Sequence, residues 1–165
     1  MLRRRRSTDQ EALPAGGARL AALRLLGRRD FSAAEVTTRL IDRGHPADEV
    51  HAVVRDLVAD RTLDDRRVAA SHVRTASLVK HRGRLRIRRE LEARGIDKAL
   101  VGEALAALPT EDDTAAIRLF LARRRAPARP DPAMRRRLFQ QLLRRGFDSA
   151  AIARALGRGD RDDEE

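Results

Sequence analysis

Apolar residues recur along this chain three or four positions apart, with polar residues between them, and that spacing predicts helices throughout. Leu20, Leu23 and Leu26 mark a first helix ending near Arg28-Arg29. Ser32 and Glu35 form a capping box ahead of a second, in which Val36 and Leu40 share a face. Gly44 stands where a left-handed residue would stop that helix, and Pro46 can open the next without losing a needed N–H. Val50, Val53, Val54 and Leu57 supply the third apolar stripe. The first stretch therefore reads as three short helices.

The pattern continues in two further stretches. Asp64-Asp65 can cap and charge-complement a helix carrying Val68, Ala69, His72, Val73, Ala76 and Val79. Arg84 to Arg88 alternate like a strand, but Ile87 and Leu91 are four apart and the run continues to Gly95, which favours a helix. Asp97 caps another, with Leu100, Val101, Ala104, Leu105 and Leu108. Pro109 to Asp113 read as a linker. Beyond it come Ala116, Leu119 and Phe120, then the proline-rich segment 126–132, too stiff for helix. A helix from Pro132, capped by Asp131, carries Met134, Leu138 and Leu142; a last one after Asp148 carries Ile152, Ala155 and Leu156.

Superposing these stretches exposes a repeat. Gly44, Gly95 and Gly146 are 51 residues apart, each with a leucine four before it (Leu40, Leu91, Leu142) and an arginine one before it (Arg43, Arg94, Arg145). Val50, Val101 and Ile152 follow at six, and Val54, Leu105 and Leu156 at ten. The expected fold is all-α, with three tandem three-helix repeats over 18–62, 63–109 and 110–157. A basic tail, 1–17, and an acidic one, 158–165, are expected to be disordered.

Composition narrows the function. Of the 36 basic residues 34 are arginine, the net charge is +11, and aromatics make up 2%. The charge is segregated: residues 20–63 balance to zero, 66–98 carry +8 and 118–145 carry +9. Such a field points to a polyanionic partner, although arginines can equally be a solvated face. The densest clusters are Arg82, Arg84, Arg86, Arg88 and Arg89; Arg123, Arg124 and Arg125; and Arg135, Arg136 and Arg137. Guanidinium forks suit phosphate oxygens or carboxylates. The four phenylalanines read as core, so DNA binding without stacking platforms would be backbone-directed and salt-sensitive.

Chemistry is sparse. Cysteine is absent, which excludes disulfides and thiolate sites, and no GxxxxGK(S/T), GxSxG or HExxH motif occurs. No histidine pair stands at i, i+4, and the Asp pairs at 64–65 and 112–113 read as helix caps. The chain reads as a non-enzyme without cofactor or metal. No stretch approaches the roughly 18 apolar residues of a membrane helix, so a soluble, cytoplasmic protein without membrane contact is expected.

Several segments together resemble the RecX family, bacterial regulators of the RecA recombinase. They are Leu25-Leu26-Gly27-Arg28-Arg29-Asp30-Phe31-Ser32, Leu63-Asp64-Asp65-Arg66-Arg67-Val68-Ala69, Arg86-Ile87-Arg88-Arg89-Glu90-Leu91 with Arg94-Gly95-Ile96, and Arg144-Arg145-Gly146-Phe147. Val68 stands where the family has Phe, and Leu85 near where it tends to have Pro. The resemblance implies nine helices in three tandem three-helix units, each helix-turn-helix-like, forming an elongated, curved body. It also implies a monomer that binds the RecA–DNA filament and limits its extension, ATP hydrolysis, strand exchange and SOS coprotease activity. RecA and the backbone of single-stranded DNA, with duplex DNA second, are the implied partners. Arg28 and Arg29 join the three arginine clusters as expected contacts, and reversing Arg84, Arg86, Arg88 and Arg89 is expected to weaken inhibition without loss of helix. The alternative is an autonomous helix-turn-helix-type nucleic-acid-binding protein, with a structural RNA or ribosome-associated protein as a second rival.

Overall fold

Left-handed glycines end three helices at the positions the repeat marks. The computed structural model describes residues 17–108, 112–127 and 130–157. Among them are nine α-helices and no strand: α1 (Gly17–Leu26), α2 (Ala33–Ile41), α3 (Ala47–Ala59), α4 (Asp65–Arg74), α5 (Arg84–Ala93), α6 (Lys98–Ala106), α7 (Asp112–Arg123), α8 (Pro132–Arg144) and α9 (Ser149–Ala155). Apart from Gly17, which begins α1, the two expected tails lie outside the described residues, as do 109–111 of the expected linker and 128–129 of the proline-rich segment.

Carboxylates start four of these helices. Asp64 accepts from the Arg67 N–H at 3.0 Å, Asp97 from Ala99 at 2.8 Å, Asp131 from Met134 at 2.8 Å, and Asp148 from Ala150 and Ala151. Pro132 occupies the first turn of α8, where its missing N–H costs nothing. Asp112 and Asp113 belong to α7 rather than to a linker. Three helix ends share one geometry. Gly44, Gly95 and Gly146 have φ of 89°, 72° and 83°, and the next residue's N–H donates five positions back, His45 to Leu40, Ile96 to Leu91 and Phe147 to Leu142. These are Schellman ends, and the positive φ is why glycine recurs there.

The described chain forms two compact units, one running to Phe31 and resuming from Glu35 to Leu63, the other comprising Ser32–Ala34 and everything from Asp64. The first unit closes over Ala22, Leu25, Phe31, Val36, Leu40, Val50, Leu57 and Leu63. The second holds two cores. One gathers Val68, Ala69, Val73, Ala76, Ile87, Leu91, Ile96, Val101 and Leu105; the other centres on Ile117, Phe120, Leu142, Phe147 and Ile152. Burying a Leu or Ile of this kind stabilises by about 1.5–3 kcal/mol, so each core can hold its own three helices.

Two expectations need correction. In α1 the inward face is Ala18, Ala22 and Leu25, whereas Leu20 and Leu23 are exposed. The helix is apolar almost all round, so spacing alone does not choose the face, and small Ala18 and Ala22 fit the close approach to α3. Further on, the helix through Val79 breaks. Regular α-helix ends at Arg74 and a π-helical turn, Thr75–Val79, follows, buries Ala76 and Ser77, and leaves Leu78 and Val79 exposed.

Candidate nucleic-acid interface

Arginine is both glue and exposed charge here, and the geometry separates the two uses. In the first unit Arg29 lies 3.7 Å over the Phe31 ring centroid and pairs with Glu35 at 3.1 Å, so it is engaged locally; Arg39 stacks on the same ring from 4.7 Å. Arg28 is exposed.

The Arg82–Arg89 cluster divides in the same way. Arg82 donates to Glu90 Oε2 at 2.7 Å, where His72 Nε2 also lies at 3.0 Å, and Arg86 donates to Oε1 at 2.8 Å. Burial would raise the Glu90 pKa, but the hydrogen bonds from Arg86, His72 and Arg82 outweigh it and hold the carboxyl below its ordinary value. Arg84 reaches the other way and donates to the carbonyls of Leu105 and Leu108 at 3.0 and 2.6 Å, capping the end of α6. Its reversal to Glu would set a carboxylate against those carbonyls, so Arg84 and Arg86 do not share the structural neutrality expected of all four. Arg88 and Arg89 are exposed on α5 and make no ion pair among the described residues.

In the third repeat Arg123 donates to His81 Nε2 at 2.6 Å, which assigns the proton of that buried imidazole to Nδ1. Burial, then the charges of Arg123 and Arg145, hold the His81 pKa below its ordinary value. Arg124 sits 5.2 Å from the Phe120 centroid and, with the Gln141 amide turned to face it, donates to that oxygen through both terminal nitrogens at 3.0 and 3.1 Å. Arg135 is half-buried, and its Nε has no partner among the described residues. Arg125, Arg136 and Arg137 are exposed. The clusters thus resolve into six exposed guanidinium groups without an ion pair among the described residues (Arg28, Arg88, Arg89, Arg125, Arg136, Arg137) and a remainder largely committed to the fold.

One concentration of charge escaped the sequence reading. Within the second unit, the N–H of Gly83 donates to the Arg145 carbonyl at 2.9 Å and that of Leu85 to the Gly146 carbonyl at 3.1 Å. A side chain on Gly83 or Gly146 would collide with the opposing backbone. This close joint sets Lys80, Arg82 and Arg86 beside Arg144 and Arg145 around an open recess of about 500 Å³, with Gln141 on its wall. Arg145 donates to the carbonyls of Lys80 and His81 at 2.9 and 3.3 Å and lies 4.4 Å from the Phe120 centroid. Burial, then Arg124, Arg86 and Arg82, depress its pKa, so its charge is held there at a cost. In the sequence Arg145 stood out only as a repeat marker and, with Arg144, as part of a segment carrying the family resemblance, and nothing local to Lys80 set it apart.

Three tandem three-helix domains with a strongly basic second unit define a class of helical-repeat proteins, and comparison with known proteins identifies which. Profiles of the first, second and third three-helix domains of RecX match residues 18–57, 64–105 and 111–156. A regulatory protein RecX of Chromohalobacter salexigens is 35% identical over 149 residues, which is 90% of this chain and 94% of that protein. One from Xanthomonas axonopodis pv. citri is 36% identical over 94% of this chain and 99% of its own. The Geobacillus kaustophilus relative, 33% identical over 84% of this chain, is longer, and the match spans 52% of it. In three dimensions the chain is similar to a crystal structure of regulatory protein RecX (TM-score 0.73, 22% identity, 86% of this chain, 70% of that one). It is also similar to RecX from Lactobacillus salivarius (TM-score 0.70, 21% identity, 86% and 93%). The chain belongs to the RecX family of regulatory proteins. No helix of the described residues is long and apolar enough to cross a membrane.

Proposed function

We propose that this chain is a negative regulator of the RecA recombinase, binding the RecA–DNA filament and limiting its extension, ATP hydrolysis, strand exchange and SOS coprotease activity. Family membership supports a regulatory role. The observation that carries the proposal is the segregation of charge: +8 over 66–98 and +9 over 118–145, against zero over 20–63. A filament of RecA on DNA offers phosphate and acidic protein surface together, either of which a strongly basic stretch of chain can meet. Arg28, Arg88, Arg89, Arg125, Arg136 and Arg137 are the proposed direct contacts. Arg29, Arg82, Arg84, Arg86, Arg123, Arg124 and Arg135 contribute field and hold the surface in shape.

The test is ATP hydrolysis by the cognate RecA on excess single-stranded DNA, titrated with the protein. Dose-dependent inhibition at substoichiometric ratios is expected, since competition for DNA alone cannot produce it. Absence of inhibition on preformed filaments at low salt would leave the autonomous nucleic-acid binder as the better reading.

A further inference from the structure

The recess between the end of α8 and the start of α5 gathers more positive charge than the fold answers with carboxylates. Five of its six lining residues are cations: Lys80, Arg82, Arg86, Arg144 and Arg145, with Gln141 as the sixth. One carboxylate, Glu90, answers Arg82 and Arg86 together. Lys80 and Arg144 make no ion pair among the described residues and are exposed at its edge. The donors are nonetheless fixed. Arg145 is clamped by two carbonyls and an aromatic face, Arg86 by Glu90 and the Arg144 carbonyl at 3.3 Å, and Arg82 by Glu90. The joint that gathers them depends on two glycines in backbone contact. Like charges held at short range, with their forks already oriented, lower the reorganisation needed to receive an anion.

We propose that this recess seats a phosphate group of a nucleic-acid strand, with Arg145 and Arg82 as half-buried anchors and Lys80, Arg86 and Arg144 closing from the rim. It rests on the reading above only in taking nucleic acid as the partner. A strand is favoured over an acidic peptide because no lining residue is apolar, leaving a peptide's side chains nowhere to bury, while the closely spaced charges of a phosphodiester chain match several cations at once.

The test measures binding of a fluorescein-labelled 20-nucleotide oligothymidylate to the full chain by anisotropy, from 50 to 300 mM NaCl. The variant Lys80→Gln/Arg144→Gln removes two rim charges that make no ion pair among the described residues. A control, Arg24→Gln/Arg55→Gln, removes two exposed charges from the first unit. The rim variant is expected to bind about tenfold more weakly at 100 mM salt, and each lost contact to lower the salt slope by about 0.7. Lys80→Gln alone should give half the slope change of the double rim variant, and the control little. Equal losses in rim variant and control would overturn the proposal, as would wild-type protein that does not bind the strand. So would tripolyphosphate binding sensitive to the rim variant in a protein that ignores oligothymidylate, which would mark a free-anion site. Oligoglutamate of equal charge binding more tightly, with the same sensitivity, would reassign the recess to an acidic protein. Because this assay contains no RecA, its failure is distinct from a failure to inhibit RecA's ATP hydrolysis.

Discussion

His81 joins backbone and side-chain constraints in one residue. Its φ of 47° places it in the left-handed region, its ring is buried, and its Nε2 must stay unprotonated to accept from Arg123. The neighbouring charges, Arg123, Arg145 and Lys80, are all positive, and none favours an imidazolium. Its folded pKa lies below the ordinary 6.5, so the unfolded chain takes up the proton first. The stability this residue contributes is therefore complete above about pH 6.5 and falls as pH drops from there toward the folded pKa, by at most about 1.4 kcal/mol per pH unit. Thermal melts between pH 7.5 and 5.5 should show this loss, and His81→Gln, which still offers Arg123 an acceptor but does not titrate, should flatten it. Parallel pH profiles for the two proteins would remove His81 from the account. None of this was visible locally in the sequence, where His81 is merely a histidine lacking a partner at i, i+4. Glu90 was legible only in part: Arg86 stands four before it on α5, whereas Arg82 and His72 reach it from outside that helix. Which guanidinium is structural depends on what folding brings within its reach, and a run of arginines looks alike in either case.

At the level of elements, the sequence was more informative. The 51-residue glycine spacing, the aspartate caps and the helical reading of the strand-like Arg84–Arg88 all rest on local physics, which the fold keeps. The face of α1 and the π-helical turn were hidden, the first because alanine and leucine fill every side of the helix, the second because a wider helical turn has no compositional mark. The glycines also differ among themselves in a way only packing shows. Gly44 and Gly146 share a positive φ, yet nothing lies within 4 Å of a side chain at Gly44, whereas one at Gly146 would run into Arg86. Gly44→Ala is expected to cost about 1–2 kcal/mol, the left-handed penalty, and Gly146→Ala a further 1–3 kcal/mol from overpacking. Urea melts of the two variants measure the difference, and equal losses would mean that the Gly83–Gly146 joint yields without resistance.

For the whole molecule, charge has to be sorted before it is tested. Reversing Arg88 and Arg89 to Glu leaves the Glu90 hub and the α6 cap intact, so helicity should be unchanged while inhibition of RecA weakens several-fold at low salt and less at high salt, as screened charges require. Inhibition by that variant equal to wild type at every salt concentration would take both residues out of the proposed surface. Circular dichroism recorded alongside separates lost contact from lost fold. Family and function class were accessible from ordered motifs spread over most of the chain. The recess at Arg145 was not, since its residues are separated by as many as 65 positions, from Lys80 to Arg145.

The joint at Gly83 has an echo one period earlier. Gly83 donates its N–H to the Arg145 carbonyl, and 51 residues before each, Ser32 donates its hydroxyl to the Arg94 carbonyl, both pairs lying within the second unit. The two partners in such a connection are unlike surfaces, head to tail, and connections of that kind carry no intrinsic stop. The next head in phase is residue 134, and there the chain departs from the pattern: Met134 already sits inside α8, with its N–H taken by Asp131. A capping carboxylate thus takes up, in the third repeat, the position from which Ser32 and Gly83 reach across to the next arginine carbonyl.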